Sequence, residues 1–155
     1  MMKLSDSFTI QASKADVWSV FMDVEKLSGC VPGCKEVKMS SPTRYEANME
    51  VKIQFMTIQF RVTGELKEAV DGEALQVEMT GQPVALAGLF RNQLHLQLKE
   101  EQPGTTRVQY EMDLQMTGRL ASLGDILMKG TVKKKAEEFA TNVQTLFQSS
   151  QEIYN

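Results

Sequence analysis

The chain carries two cysteines, Cys30 and Cys34, and one histidine, His95. These are the residues best suited to metal, redox or proton chemistry. The cysteine spacing is C-x3-C, whereas a zinc ribbon uses C-x2-C pairs and needs a second pair, and a thioredoxin-like site uses C-x-x-C. With no second pair, the thiols are read as structural, small groups packed beside Gly29 and Gly33. His95 lies between Leu94 and Leu96, whose alternation puts it on the opposite, solvent-facing side. Any Ser-His-Asp arrangement would have to run through that one outward residue. Glu46, Glu50, Glu111 and Asp113 also fall on outward strand positions and read as a solvated face. Asp6 breaks the pattern by parity. It is either a polar contact in an enclosed space or an edge residue bonded to nearby backbone. The direction of Asn92 is open, because Gly88 just upstream signals a bulge or bend. Lys133, Lys134 and Lys135 are read as spread over the outer face of a helix. No catalytic set, metal site or cofactor follows from these residues.

The elements that would position them are legible in the periodicities. The last stretch, Gly118 to Gln151, repeats apolar residues at 3.6-residue spacing (Leu123, Leu127, Met128, Val132, Ala136, Phe139, Val143, Leu146), which predicts one long amphipathic helix. The spacing slips by one residue between Leu127 and Val132, so a bend is expected at Gly130. Upstream, Met2 to Gln11 alternates as a strand. Ser13 caps a helix that buries Val17, Trp18 and Phe21, and Asp23 caps a short second helix, Val24 to Ser28. Gly29 to Cys34 then makes a shaped loop.

Six strands follow. Glu36 to Ser40 is short. Tyr45, Ala47, Met49, Val51, Ile53 and Phe55 alternate on one face, and the parity switches near Met56, where a tight hairpin is expected. Ile58, Phe60, Val62, Gly64 and Leu66 face inward next. Asp71-Gly72 is a turn, and Leu75, Val77 and Met79 alternate until Gly81-Gln82-Pro83 breaks the run. The stretch from Val84 to Leu98 and that from Val108 to Met116 complete the set. Hairpin-length links imply an antiparallel sheet with one covered face. A long helix after such strands must lay its apolar stripe on that face. The fold class is therefore α+β, with residues 1–155 expected to form a single domain.

The totals are consistent with a soluble globular chain: 24% charged, 42% apolar, net charge −3. An acidic balance disfavours nucleic-acid binding. No apolar run is long enough to span a bilayer, and no targeting segment is recognised at the N-terminus, so a cytoplasmic location is expected. Ten methionines against seven phenylalanines, three tyrosines and one tryptophan is an unusual proportion. Methionine is flexible and polarizable, so it suits either core filling or surfaces that adapt to variable shapes.

Three stretches carry a family resemblance: Phe8-x-Ile10-x-Ala12 leading into Val17-Trp18-x-x-Phe21-x-Asp23, Leu27-Ser28-Gly29-Cys30-Val31-Pro32-Gly33-Cys34, and Thr117-Gly118-Arg119-Leu120-Ala121-x-Leu123-Gly124. With the element order, they resemble the helix-grip fold of the START-like (Bet v 1-like, polyketide-cyclase-like) superfamily, and within it the carbon monoxide dehydrogenase G-subunit family. The resemblance implies a curved seven-stranded antiparallel sheet wrapped around the C-terminal helix, two short helices after the first strand, and a cavity between sheet and helix. Phe21, Met49, Phe55, Phe60, Met79, Phe90, Tyr110, Met112, Met116, Met128 and Phe139 would line that cavity and bind a ligand. Gly29, Cys30, Pro32, Gly33 and Cys34 would form a loop at its mouth.

The resulting expectation is a non-catalytic binding protein for a hydrophobic small molecule or lipid, quinone-like or acyl. The resemblance adds a molybdenum hydroxylase complex as partner, and peripheral contact with the inner membrane face. Two other readings stay open at this point: a cyclase- or hydrolase-like enzyme, and an assembly module with a filled core.

Overall fold

The architecture was obtained as a computed structural model that describes residues 2–53, 55–123 and 130–154. Its first strand, β1 (Met2–Ile10), runs into α1 (Lys14–Phe21), which starts where Ser13 Oγ accepts the Asp16 N–H at 3.2 Å. Asp23 opens α2 (Val24–Cys30), its Oδ1 accepting the N–H groups of Glu25 and Lys26 at 3.1 and 3.2 Å. These caps satisfy helix N–H groups that have no partner within the helix.

The six strands that follow are β2 (Cys34–Ser41), β3 (Arg44–Ile53), β4 (Met56–Val70), β5 (Ala74–Pro83), β6 (Phe90–Gln102) and β7 (Thr105–Met116). All pairings are antiparallel and the order across the sheet is β1-β7-β6-β5-β4-β3-β2. The first two strands in sequence thus occupy opposite edges. The chain crosses between them through α1 and α2, which therefore lie over the open side of the sheet.

Two local expectations are corrected. The second helix does not stop at Ser28 but includes Gly29 and Cys30, with Val31 as its cap. The turn comes later, at Gly33, whose φ is +79° and where a Cβ would stand 2.1 Å from the Glu50 carbonyl oxygen. Glu50 N–H in turn donates to the Gly33 carbonyl at 2.9 Å, fastening the exit of α2 to β3. Likewise β5 is not broken at Gly81-Gln82-Pro83. It continues to Pro83 because Gly81 leaves room for the Phe90 ring, which a Cβ there would meet at 2.0 Å.

After β7 the described residues do not form one helix from Gly118. A short α3 (Gly118–Ser122) ends at Leu123, and the long helix is described as α4 (Val132–Tyr154). Residues 124–129, including Leu127 and Met128, lie outside the described residues. The segment between β5 and β6 explains why α3 is set apart. Thr117 N–H donates to Leu89 O at 2.9 Å, Leu120 N–H to Ala87 O at 3.3 Å, and Leu120 is buried with Ile53, Ile58, Phe60 and Val62. Gly130 and Thr131 adopt a wider π-helical turn immediately before α4. Such a turn contains an extra residue, but the slip expected from Leu127 to Val132 begins outside the described residues.

The curved sheet grips α4. Val143 is fully buried, and Phe139, Leu146 and Phe147 pack with it against a cluster that includes Ile10, Val17, Phe21, Leu96, Leu98 and Val108. Two side-chain amides fix the helix at both sides: Asn142 Nδ2 donates to Cys30 O at 2.9 Å and Gln144 Nε2 to Thr9 O at 2.8 Å. The first of these satisfies a carbonyl at the C-terminal end of α2 that has no helical partner.

Candidate functional site

The buried apolar residues divide into two clusters, one around α1 and α4 and one beside α3. Between sheet and helices lies a cavity of about 400 Å³ lined by members of both. That volume falls within the range of small-molecule pockets, roughly 300–1,000 Å³.

The strand alternation decides what faces it. Met49, Phe60, Met79, Phe90, Tyr110, Met112 and Met116 form part of the sheet side, and Phe21 and Phe139 approach from α1 and α4. Phe60 and Phe90 meet edge to face, with ring centroids 5.4 Å apart, and Phe8 and Tyr110 are 6.3 Å apart. Two expected members behave differently. Phe55 is fully exposed, because β3 ends at Ile53 and Ile53 pairs directly with Met56, leaving Phe55 at the hairpin tip. Its parity continues the strand, but the strand itself has stopped. Met128 lies outside the described residues.

The expected mouth loop is only partly a loop. Pro32 lines the cavity together with Val31, while Gly29 and Cys30 belong to α2 and Cys34 opens β2. Both cysteines are free thiols, Cys30 buried and Cys34 half-buried, and burial pushes both thiols above their ordinary pKa. A raised pKa keeps them protonated and poorly nucleophilic. Met22 and Met39, each 44% exposed, stand with Pro42 and Thr43 at the rim.

Several lining residues go beyond those the sequence led us to expect. Tyr45 shares the inward parity of β3 and joins the cavity wall. Its ring reclines over Gly64, where an added Cβ would meet Cζ at 2.1 Å and the hydroxyl at 2.4 Å. Burial, and secondarily the negative charge that Cys34 takes on once it ionises at high pH, raise the pKa of its phenol. Lys135 also lines the cavity instead of facing outward with Lys133 and Lys134, and pairs with Glu138 at 3.5 Å. Helical spacing held the signal, since Lys135 follows Val132 by three residues and so borders the buried stripe.

Asn92 resolves inward. The bend lies before Phe90, so Phe90, Asn92, Leu94, Leu96 and Leu98 share one unbroken face. Its Nδ2 is 3.5 Å from Met112 Sδ, and its Oδ1 is buried without a hydrogen-bond partner among the described residues. An unpaired buried acceptor costs on the order of 1–3 kcal/mol. Asp6, by contrast, is exposed and accepts the Ser7 N–H at 2.8 Å, the edge arrangement. It acts on the cavity only from outside: the phenol of Tyr110 is pushed up in pKa by burial first, then by the charges of Asp6 and Glu137.

These polar groups do not assemble into a reactive set. Asn92 pairs with Leu114, four residues along β7 from Tyr110, so the two sit about 13 Å apart along the strand. His95 is exposed on the other face. Among the described residues no group of three or more His, Cys, Asp or Glu could hold a metal, and no helix is long and apolar enough to cross a membrane.

A curved antiparallel sheet gripping a long helix around an apolar cavity is the START-like helix-grip class. Comparison with solved structures agrees. A conserved protein from Geobacillus kaustophilus superposes with a TM-score of 0.87 at 19% identity, covering 96% of this chain and 97% of that one. The Zhui aromatase/cyclase from Streptomyces sp. R1128 gives 0.70 at 11% identity, with 95% and 93% covered. A START superfamily protein from Mycobacterium smegmatis gives 0.67 at 14% identity, with 95% and 97% covered. At these identities the likeness is one of fold. No curated protein sequence matches significantly. The sequence profile of the carbon monoxide dehydrogenase G-subunit (CoxG) family matches residues 7–147, and the chain belongs to that family.

Proposed function

We propose that the protein is a non-catalytic binding protein for a lipophilic molecule, quinone- or lipid-like, held between the sheet and α4. The observation that carries this reading is the cavity of about 400 Å³, whose walls are almost entirely apolar and rich in methionine. Methionine side chains re-pack at low cost, which suits a ligand of variable shape. Phe21, Met49, Phe60, Met79, Phe90, Tyr110, Met112, Met116 and Phe139 would make the contacts, with Pro32 at the edge.

Membership of the CoxG family supports a role as accessory factor to a molybdenum hydroxylase of the carbon monoxide dehydrogenase type. In that role the protein would act as a single cytoplasmic unit, with peripheral contact at the inner membrane face.

The test uses a cavity-filling variant, because Phe60 is itself core and its truncation would report stability as much as binding. Leu94→Trp places bulk into the space. Purified wild-type protein should release a lipophile detectable by mass spectrometry, and Leu94→Trp should release none while keeping its thermal midpoint. If instead Leu94→Trp loses about 1–3 kcal/mol, as overpacking of a filled core does, and neither protein carries a lipophile, the reading fails.

A further inference from the structure

We infer that Asn92 is a polar anchor of the cavity and that the molecule held there presents a hydroxyl group to it, an inference that rests on the cavity being a binding site. The geometry begins with the amide. Sulfur accepts a hydrogen bond but has no proton to give here, so the contact of Asn92 with Met112 Sδ at 3.5 Å fixes which end of the amide is nitrogen. The carbonyl end, Oδ1, is then the free end, buried and without a partner among the described residues. A lone acceptor is satisfied by a donor, and the donor most compatible with apolar walls is a single O–H.

Its nearest neighbours on the sheet leave this corner of the cavity to Asn92. Met79 and Leu114, its neighbours across the sheet, are apolar, as is Leu94 on its own strand. The Tyr45 hydroxyl is held over Gly64, two strands away. Tyr110 is four residues along β7 from the residue paired with Asn92. Oδ1 is closed to solvent, so the amide must turn to meet a ligand. Its terminal torsion is broad, and the contact it would give up is a weak one to sulfur, so the turn costs little.

Isothermal titration calorimetry with dodecanol and its isomer undecyl methyl ether tests this, since the two share atoms and differ in the donor. Wild-type protein should bind the alcohol roughly five- to tenfold more tightly than the ether. Asn92→Leu, which keeps the volume and removes the acceptor, should bind both alike and melt no lower than wild type. Equal affinities in wild type, or a preference that survives in Asn92→Leu, overturns the role of Asn92 and leaves the cavity reading standing. Failure of both compounds to bind overturns the two together.

Discussion

The ring of Tyr45 occupies the place where a side chain of Gly64 would be: the two residues are directly paired across β3 and β4, and an added Cβ would lie 2.1 Å from Tyr45 Cζ. The missing side chain on one strand lets the aromatic of its neighbour lie flat as part of the cavity floor. Gly64→Ala should drive the ring upward and cost about 1–3 kcal/mol, the usual range for overpacking. Urea unfolding measures it. Tyr45→Ala in the Gly64→Ala background should recover part of the loss, and a purely additive double variant would show that the two do not compete for one space.

The same tyrosine gives the protein an alkaline limit. Its phenol pKa is raised in the folded state, by burial first and second by the negative charge that Cys34 takes on once it ionises at high pH. A group with a raised folded pKa contributes stability that is complete below its unfolded pKa, about 10 for tyrosine, and is lost as pH climbs through the folded value. Burial gives Cys30 and Cys34 the same sign, beginning lower, near about 8.5. Unfolding midpoints should therefore fall above about pH 8.5 and more steeply above about pH 10. In Tyr45→Phe the second, steeper part should shrink. An identical profile in the variant would remove Tyr45 from this account.

Gly88 packs against backbone. Its φ is +126° and a Cβ there would stand 2.1 Å from the Thr117 carbonyl oxygen, which cannot swing away as a side chain could. Gly88→Ala should lose about 1–3 kcal/mol from strain alone, more with the clash. Hydrogen exchange should show the loss concentrated at Leu89, Thr117 and Leu120, whose N–H groups make the bonds that tie this segment to α3.

Gly130 is the reverse case. Among the described residues nothing stands within 4 Å of a Cβ built there, and its φ is not in the left-handed region. Gly130→Ala should raise stability by about 0.4–1 kcal/mol, through the unfolded chain and helix propensity. If the π-turn at Gly130–Thr131 is where the helix flexes to admit a ligand, exchange of a bound lipophile should slow several-fold as well. Stopped-flow displacement reads this, and an unchanged rate would separate the turn from gating.

How much of this is legible in the sequence depends on how local each cause is. The inward faces of β3 to β7 follow from two-residue alternation, so Met49, Met79, Met112 and Met116 can be placed by counting. Phe55 cannot, because the end of β3 is set by the pairing of Ile53 with Met56 and not by any change in pattern. The end of α3 at Leu123 depends on the chain around Ala87 and Leu89 reaching across to Thr117 and Leu120, contacts made some thirty residues apart in sequence. The inward position of Asn92 turns on where the bend near Gly88 falls, and that bend spares the strand that follows. The family resemblance supplies the helix-grip arrangement as a whole. The individual polar groups of the cavity have to come from geometry.

The order of strands also bears on how the chain assembles. Neighbours β2 to β7 meet through short links and can form in sequence, but β1 pairs only with β7, Phe8 opposite Val108. β1 leaves the ribosome well before β7 and must wait for it. Until then its edge-forming backbone, and the α1 face that buries Val17 and Phe21, have no permanent partner. Closing so long a loop is a late and slow event in folding. The concave space should therefore take its final shape only when β1 docks, which makes that step the natural moment for a hydrophobic guest to be enclosed.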